Sequence, residues 1–226
     1  MKTLNSIIIV LFVSLLSSPS WSETLTMDDL VERNGLYYKK FTDVPFIGEV
    51  TGNIPFTGEI EHYYENGKLK SKGNYKDGIE EGLWEDYYEN GQLYSKGNLK
   101  YGIEEGPWVY YHENGQLFRK GDFKGGKEDG LWEFYHENRQ LSSKGNFKDG
   151  IQDGLWKFYL ENGQLWEKGN LKDGKSDGLV ERYYENGQLE FKGNYKNGKQ
   201  EGLWEYFNKD GSLKRTETWK NGVKQK

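Results

Sequence analysis

The chain has 226 residues and a formal net charge of −5, from 31 basic and 36 acidic residues. This balance argues against nucleic acid as a partner, because nucleic-acid binding normally requires a basic patch. The absence of cysteine excludes disulfides, thiolate catalysis, Cys-ligated zinc and acylation at a cysteine. Hydrophobic residues are only 34%, but aromatics reach 16% and glycines number 30, which indicates a β protein with many turns.

Residues 1–22 have the pattern of a secretory signal peptide. Lys2 gives a positive start, residues 7–16 are apolar, and Ser20 and Ser22 supply the small residues of a cleavage site. The alternative is an uncleaved membrane anchor, but a spanning helix needs about 20 apolar residues. We therefore expect cleavage near Ser22 and an exported mature protein, which would be periplasmic, at the cell surface or secreted.

Residues 23–57 form a lead-in before the main pattern. Residues 27–31 indicate one helical turn, and residues 36–41 have the aromatic and long side chains typical of a strand. Residues 45–49 and 55–59 resemble each other as degenerate repeats, and an atypical terminal repeat commonly serves as a cap.

The rest of the chain, residues 58–225, repeats with a fixed period of 24. Asn-Gly occurs at Asn66-Gly67, Asn90-Gly91, Asn114-Gly115, Asn162-Gly163 and Asn186-Gly187, with altered copies at Asn138-Arg139 and Asp210-Gly211. The seven units are 58–81, 82–105, 106–129, 130–153, 154–177, 178–201 and 202–225. A period of this length predicts a repeat architecture in which each unit packs on its neighbours.

Each unit reads as a β-hairpin with Asn-Gly at the tip, since a type I′ turn needs two residues with positive φ. That turn places Glu89 opposite Gln92, Tyr88 opposite Leu93, Asp86 opposite Ser95, Glu85 opposite Lys96 and Trp84 opposite Gly97. A second hairpin signal follows each strand pair, at Asp77-Gly78, Asp149-Gly150, Asp173-Gly174 and Asn197-Gly198. The sequence therefore predicts an all-β fold, an elongated single-layer antiparallel ribbon of about 14 strands.

Aromatic residues recur on this ribbon as a stripe, the candidate interaction surface. Its members are Trp84, Trp108, Trp132, Trp156, Trp204, Tyr87, Tyr111, Tyr135, Tyr159 and Tyr183. Trp84 lies opposite Gly97, and an equivalent pairing recurs in the following units, so that each ring covers a glycine. Two interpretations stay open: the tryptophans form the core, or they present an apolar patch to a partner.

The phrase GLWEDYYENGQL at 82–93, with Lys96-Gly97 and the Asp-Gly turns, resembles the MORN-repeat variant family over residues 58–225. Within it the chain looks most like the YwqK-type antitoxin group of bacterial MORN-repeat proteins. The resemblance implies a repeat scaffold, and for that group a toxin-neutralising role. MORN repeats elsewhere are associated with membrane lipids, protein scaffolding and dimerisation.

No catalytic, metal or cofactor site is expected from the sequence. No nucleophile–base set or phosphate-binding loop is visible. His112 and His136 occupy the same position in adjacent units, which places them about 9.6 Å apart, too far to share one zinc ion. The acidic residues that precede each unit glycine lack the spacing of a calcium loop.

Lysines form rows that include Lys72, Lys96, Lys120, Lys144, Lys168 and Lys192. Such rows could meet anionic lipid, or they could form charge-pair ladders with the Glu85 row. Lys157 opposite Lys168 breaks the ladder. The sequence predicts a non-catalytic exported scaffold for protein–protein interaction or self-association, including an antitoxin- or immunity-like role. The alternative is a cell-envelope module that contacts anionic lipid or glycan through its aromatic and lysine rows.

Overall fold

The computed structural model describes residues 57–226 and the backbone of residues 30–33 and 36–39. The predicted signal peptide, its predicted cleavage site and most of the lead-in lie outside the described residues. Residues 36–39 form a strand, as predicted. The prediction of a helical turn at 27–31 is wrong for its last two residues. Leu30 pairs with Lys39 and Val31 pairs with Tyr38 in an antiparallel strand pair.

The chain forms one long antiparallel meander. The strands are β1 (Leu30–Arg33), β2 (Leu36–Lys39), β3 (Gly58–Tyr63), β4 (Leu69–Lys76), β5 (Ile79–Tyr87), β6 (Leu93–Lys100), β7 (Ile103–Tyr111), β8 (Leu117–Lys124), β9 (Lys127–Tyr135), β10 (Leu141–Lys148), β11 (Ile151–Tyr159), β12 (Leu165–Lys172), β13 (Lys175–Tyr183), β14 (Leu189–Lys196), β15 (Lys199–Phe207), β16 (Leu213–Lys220) and β17 (Val223–Lys224). Strands β3 to β17 pair in sequence order as one 15-stranded sheet, and β1 pairs with β2. The predicted all-β single-layer ribbon is confirmed.

The Asn-Gly tips are not type I′ turns. Tyr88 N–H donates to Gln92 O at 2.8 Å and Gly91 N–H donates to Tyr88 O at 2.8 Å, which closes a three-residue loop. Gly91 has a φ of +91°, whereas Asn90 is not among the residues with positive φ. This is a type I turn followed by a left-handed glycine. The Asn90 side chain explains the difference, because its Oδ1 accepts the Gln92 N–H at 2.8 Å and forms a local Asx turn.

The longer loop changes the predicted register near the tip. Leu93 lies opposite Tyr87 rather than Tyr88, and Tyr94 becomes an extra residue before Ser95 pairs with Asp86. The predicted pair of Glu89 with Gln92 is also wrong, because Gln92 pairs with Tyr88 and Glu89 lies in the loop. The predicted pairs of Glu85 with Lys96 and of Trp84 with Gly97 are confirmed.

The type I′ turns lie at the other ends of the strands, where one hairpin is joined to the next. Asp77 and Gly78 have φ of 53° and 76°, and Lys76 pairs directly with Ile79 across them. The predicted hairpins at 149–150, 173–174 and 197–198 share this geometry, and so does Tyr101-Gly102. Each unit is therefore a hairpin with a three-residue tip, and neighbouring hairpins are joined by tight two-residue turns.

The core is a row of indole rings, each lying on the glycine of the preceding hairpin. Trp132 pairs with Gly145 as predicted, but its ring covers Gly121. A Cβ built on Gly121 would lie 2.3 Å from Trp132 Cδ2, so only glycine fits under the ring. The indole Nε1 donates to Asp122 O at 3.1 Å, and Trp132 is 0% exposed. The Trp–Gly contact therefore joins successive units.

Neighbouring side chains on the same face complete the burial of each ring. Phe123 and Phe147 meet Trp132 edge-on, with ring centroids 5.2 and 6.1 Å away, and Phe134 lies tilted at 6.2 Å. Edge-on aromatic contacts of this kind are favourable beyond their buried area. A single layer thus hides its tryptophans under rings contributed by the adjacent strands.

Polar side chains add further bonds between consecutive units. Asn90 Nδ2 donates to Glu113 O at 2.9 Å, and Tyr88 Oη donates to Tyr111 O at 2.8 Å. His112 and His136 occupy the Tyr88 position, with Nε2 3.0 Å from the carbonyl oxygens of Tyr135 and Tyr159 respectively. The two histidines are therefore ties between hairpins.

The acidic residues before the unit glycine also tie units together. Carboxylate oxygens of this row accept the N–H of the first residue in the tight turn one unit on, at 2.7–3.0 Å. The pairs are Glu81 with Tyr101, Glu105 with Gly125, Asp177 with Asn197 and Glu201 with Asn221.

The joint between units 154–177 and 178–201 lacks several of these contacts. Val180 stands where the other joints have tryptophan, and Leu160 replaces the tyrosine or histidine tie. Asn162 Nδ2 bonds Gln164 within its own loop, at 3.0 Å, instead of reaching the next unit. A cavity of about 30 Å³ remains there, lined in part by Trp156, Gly169 and Val180. This joint therefore lacks the indole packing and two of the side-chain bonds found at other joints of the described sheet.

We predict that Gly121→Ala destabilises the fold by about 2 kcal/mol, because the new methyl group would overlap the rigid Trp132 ring. Gly169→Ala is the matched control, because its Cβ would lie 3.3 Å from Val180 Cγ2, and it should cost much less. Urea unfolding followed by tryptophan fluorescence measures both. Equal losses at the two positions would contradict the Trp–Gly packing.

Candidate functional site: the leucine face

The two faces of the sheet differ in what they expose. The first, here the tryptophan face, carries the buried indoles and their ring neighbours. The second, here called the leucine face, carries the leucine that follows each unit glycine. Glu85 and Tyr87 lie two and four residues after Leu83 and so share its face, and Lys96 joins them because it pairs with Glu85.

Five leucines form an exposed row on the leucine face. They are Leu83 at 44% exposure, Leu131 at 54%, Leu155 at 47%, Leu179 at 44% and Leu203 at 55%. Each stands beside a tryptophan or Val180, but it points to the opposite side of the sheet. Successive units are two strands apart, so neighbouring positions in the row are about 9.6 Å apart. Unit 106–129 carries Pro107 at this position.

A ladder of charges accompanies the leucines, and Glu85 is its best-formed step. Lys72 Nζ lies 2.9 Å from Glu85 Oε2, Lys96 Nζ lies 2.8 Å from Oε1, and Tyr87 Oη donates to Oε2 at 2.8 Å. Burial alone would raise the pKa of Glu85, but the hydrogen bonds from Lys96, Lys72 and Tyr87 outweigh it and lower the pKa to about 2. Three side chains from three strands thus converge on one carboxylate.

The ladder recurs with ion pairs that connect successive hairpins. Glu133 and Glu181 face Lys144 and Lys192, as predicted, but their ion pairs are to lysines of the preceding unit. The pairs are Lys120 with Glu133, Lys168 with Glu181 and Lys192 with Glu205. The lysine rows are therefore largely matched by carboxylates.

Two units break the ladder. Val109 replaces the glutamate in one unit, and Lys157 replaces it in another. Lys157 lies opposite Lys168 on one neighbouring strand, as predicted, and opposite Lys144 on the other. Within residues 57–226, neither Lys144 nor Lys157 has a carboxylate oxygen within 4.0 Å.

The repeat pattern matches one known family. The model for the MORN repeat variant matches residues 56–77, 80–101, 104–124, 128–149, 152–173, 176–197 and 200–221, which together exceed half of the chain. The chain belongs to the MORN repeat variant family. The matched segments correspond one to one with the seven hairpin units. No match was found among curated proteins.

The MORN repeats divide the predicted aromatic stripe between the two faces. Trp84, Trp108, Trp132, Trp156 and Trp204 are buried on the tryptophan face. Tyr87, Tyr111, Tyr135, Tyr159 and Tyr183 are half-buried on the leucine face. The structure therefore does not bring these residues together as one surface, and their role in binding stays a prediction. The exposed leucine row was not predicted from the sequence.

The part of the MORN-repeat chain that the structure describes shows no group of three His, Asp or Glu side chains arranged to hold a metal ion. No helix suited to crossing a membrane occurs within those same residues. The absence of catalytic and cofactor sites remains a prediction from the sequence.

We predict that Glu85→Gln destabilises the protein by about 1 kcal/mol at pH 7, because the bonds to Lys72 and Lys96 need a charged carboxylate. The folded-state pKa is lowered, so this stability is present above the ordinary pKa and is lost as the pH falls toward 2. The difference between wild type and variant in urea unfolding should therefore shrink from pH 5 to pH 2. Glu113→Gln, at an exposed turn, is the control, and a pH-independent difference for Glu85→Gln would contradict the assignment.

A second prediction tests the two interpretations of the tryptophan stripe. Trp132→Ala should cost about 3–5 kcal/mol, because it empties a fully buried site. Trp166→Ala, at a residue 38% exposed on β12, should cost far less. Urea unfolding measures the stability, and sizing chromatography measures the oligomeric state. An unchanged unfolding free energy for Trp132→Ala would refute the core interpretation.

Proposed function

We propose that this protein is a non-catalytic repeat scaffold that binds another protein, or a second copy of itself, along its leucine face. The observation that carries the proposal is the row of five leucines, each more than two-fifths exposed. A single exposed leucine needs no explanation, whereas an ordered apolar row is typical of an interaction surface.

The surroundings of the row suit a protein partner. Half-buried tyrosines and paired charges border the leucines, as in an apolar strip with a polar rim. Tyrosine is favoured at interfaces because it combines a large apolar ring with a hydroxyl group. The tryptophans, by contrast, are committed to the joints between units and offer little surface.

The finer proposal is an antitoxin- or immunity-like role in an exported protein. Two features of the sequence support it: the resemblance to the antitoxin group of MORN-repeat proteins, and the signal-peptide pattern at 1–22. On this proposal the partner is a toxin protein met outside the cytoplasm, and the leucine face covers part of its surface.

The alternative proposal is a cell-envelope module that contacts anionic lipid or glycan. The uncompensated lysines around Lys157 favour it locally. The remainder of the lysine ladder counts against it, since Lys72, Lys96, Lys120 and Lys192 are bound to carboxylates on the same face.

A photo-crosslinking experiment tests the protein-binding proposal. A benzophenone amino acid replaces Leu179 in protein expressed in its native host, and adducts are resolved by mass spectrometry. We predict one dominant adduct, to a specific polypeptide or to a second copy. The double variant Leu131→Gln/Leu155→Gln should reduce this adduct at least tenfold, and each change should alter stability by less than about 0.5 kcal/mol.

Leu213→Gln is the matched control, because Leu213 is 55% exposed but lies outside the leucine row. It should leave the adduct unchanged. No dominant adduct from Leu179, or an adduct that the double variant leaves intact, would refute the proposal. Binding of anionic vesicles or glycans that Leu131→Gln/Leu155→Gln leaves unchanged, with no protein adduct from Leu179, would favour the alternative.

A further inference from the structure

The break in the charge ladder at Lys157 brings several cationic side chains together without the carboxylate that accepts their hydrogen bonds in other units. In unit 82–105, the Glu85 carboxylate receives Lys72, Lys96 and the Tyr87 hydroxyl. The residues 72 positions further on are Lys144, Lys168 and Tyr159, and the residue in place of Glu85 is Lys157. The two lysines and the tyrosine that donate hydrogen bonds are therefore retained, whereas the carboxylate that accepts them is replaced by the ammonium group of Lys157.

The strand register places these groups together. Lys144 pairs with Lys157 across β10 and β11, and Lys157 pairs with Lys168 across β11 and β12. Directly opposite residues have Cβ atoms about 4.5–5.5 Å apart, and like charges in such positions are destabilising. All three lysines are half-buried, so water only partly screens their repulsion. An anion between them would remove this cost.

The neighbouring carboxylates are already engaged. Glu133 is 3.0 Å from Lys120 and accepts a hydrogen bond from Tyr135. Glu181 is bound to Lys168 and accepts a hydrogen bond from Tyr183. Tyr159 has no glutamate two residues before it, unlike Tyr87, and so has a hydroxyl group available to donate. Glu133 lies opposite Lys144, and its pKa is lowered mainly by the hydrogen bond from Lys120 and in smaller part by the charge of Lys144, but its hydrogen bonds are to Lys120 and Tyr135. Within the described sheet, neither Lys144 nor Lys157 forms an ion pair with a carboxylate.

We propose that Lys144, Lys157, Lys168 and Tyr159 bind a phosphate group on the leucine face. Its oxygens would take the place that the Glu85 carboxylate holds in unit 82–105. A phosphate monoester or inorganic phosphate fits better than a carboxylate, because it brings nearly two negative charges and at least three acceptor oxygens to three ammonium groups and a phenol. This site does not depend on the proposed protein partner.

Isothermal titration of the full chain with inorganic phosphate at pH 7.5 and constant ionic strength tests the site. We expect saturable binding at one site in the wild type. Lys157→Glu restores the ladder seen at Glu85, so it should fold and raise the dissociation constant at least tenfold. Lys96→Gln removes a lysine from the intact step and should leave phosphate affinity unchanged.

Thermal melts in phosphate, sulfate and chloride separate site binding from the general effect of salts. Sulfate stabilises proteins through exclusion from their surface, so it should raise the melting temperature of wild type and Lys157→Glu alike. The additional rise in phosphate should occur only with Lys157 present.

Vesicles identify the source of the phosphate group. Phosphatidylcholine vesicles with or without phosphatidic acid, which has a phosphomonoester headgroup, are used in a flotation assay. Lys157-dependent binding to free phosphate supports a soluble ligand, and Lys157-dependent binding only to phosphatidic acid supports a lipid headgroup. Equal responses of wild type and Lys157→Glu in every arm, or no response in any arm, would overturn the proposal.

Discussion

The contact between an indole ring and the glycine of the preceding hairpin is the constraint on which the rest of this molecule depends. A single-layer sheet has no second layer against which to pack large side chains. The rings must therefore lie flat on the sheet, and a flat ring needs a strand position without a side chain beneath it. Trp108 on Gly97, Trp132 on Gly121 and Trp156 on Gly145 satisfy that need. Because the ring and the glycine belong to different hairpins, the same contact buries the core and fixes the position of each unit relative to the preceding unit.

Much of this fold could be read from the sequence. The 24-residue period, the two turn signals and the alternation of side chains predict the hairpin units, their antiparallel order and the opposition of Trp84 and Gly97. The sequence did not show which of its two neighbouring glycines each tryptophan ring covers. Trp84 lies opposite Gly97 on one side and Gly73 on the other, so pairing alone does not choose between them. The choice depends on the side-chain torsion and on the ring neighbours.

Two other features required the three-dimensional structure. The turn at Asn90 depends on a hydrogen bond from Gln92 N–H to the asparagine side chain, which competes with the type I′ geometry that Asn-Gly otherwise favours. The leucine row was missed because leucine normally indicates core, whereas here tryptophan takes the core side at each adjacent position. The binding role of the stripe could not be tested from pattern at all, since burial and exposure decide which rings a partner can reach.

The loosened joint at Val180 has a consequence for how the molecule comes apart. In a linear array, the stability of each unit depends on the free energy of its interfaces with its neighbours. An interface that lacks the indole contact and two side-chain ties lowers the coupling between residues 58–177 and residues 178–225. Cooperativity should therefore be interrupted there, with the last two units opening more often than the five before them. Amide hydrogen exchange would register this difference as weaker protection of β13 to β16, even while the longer block stays closed.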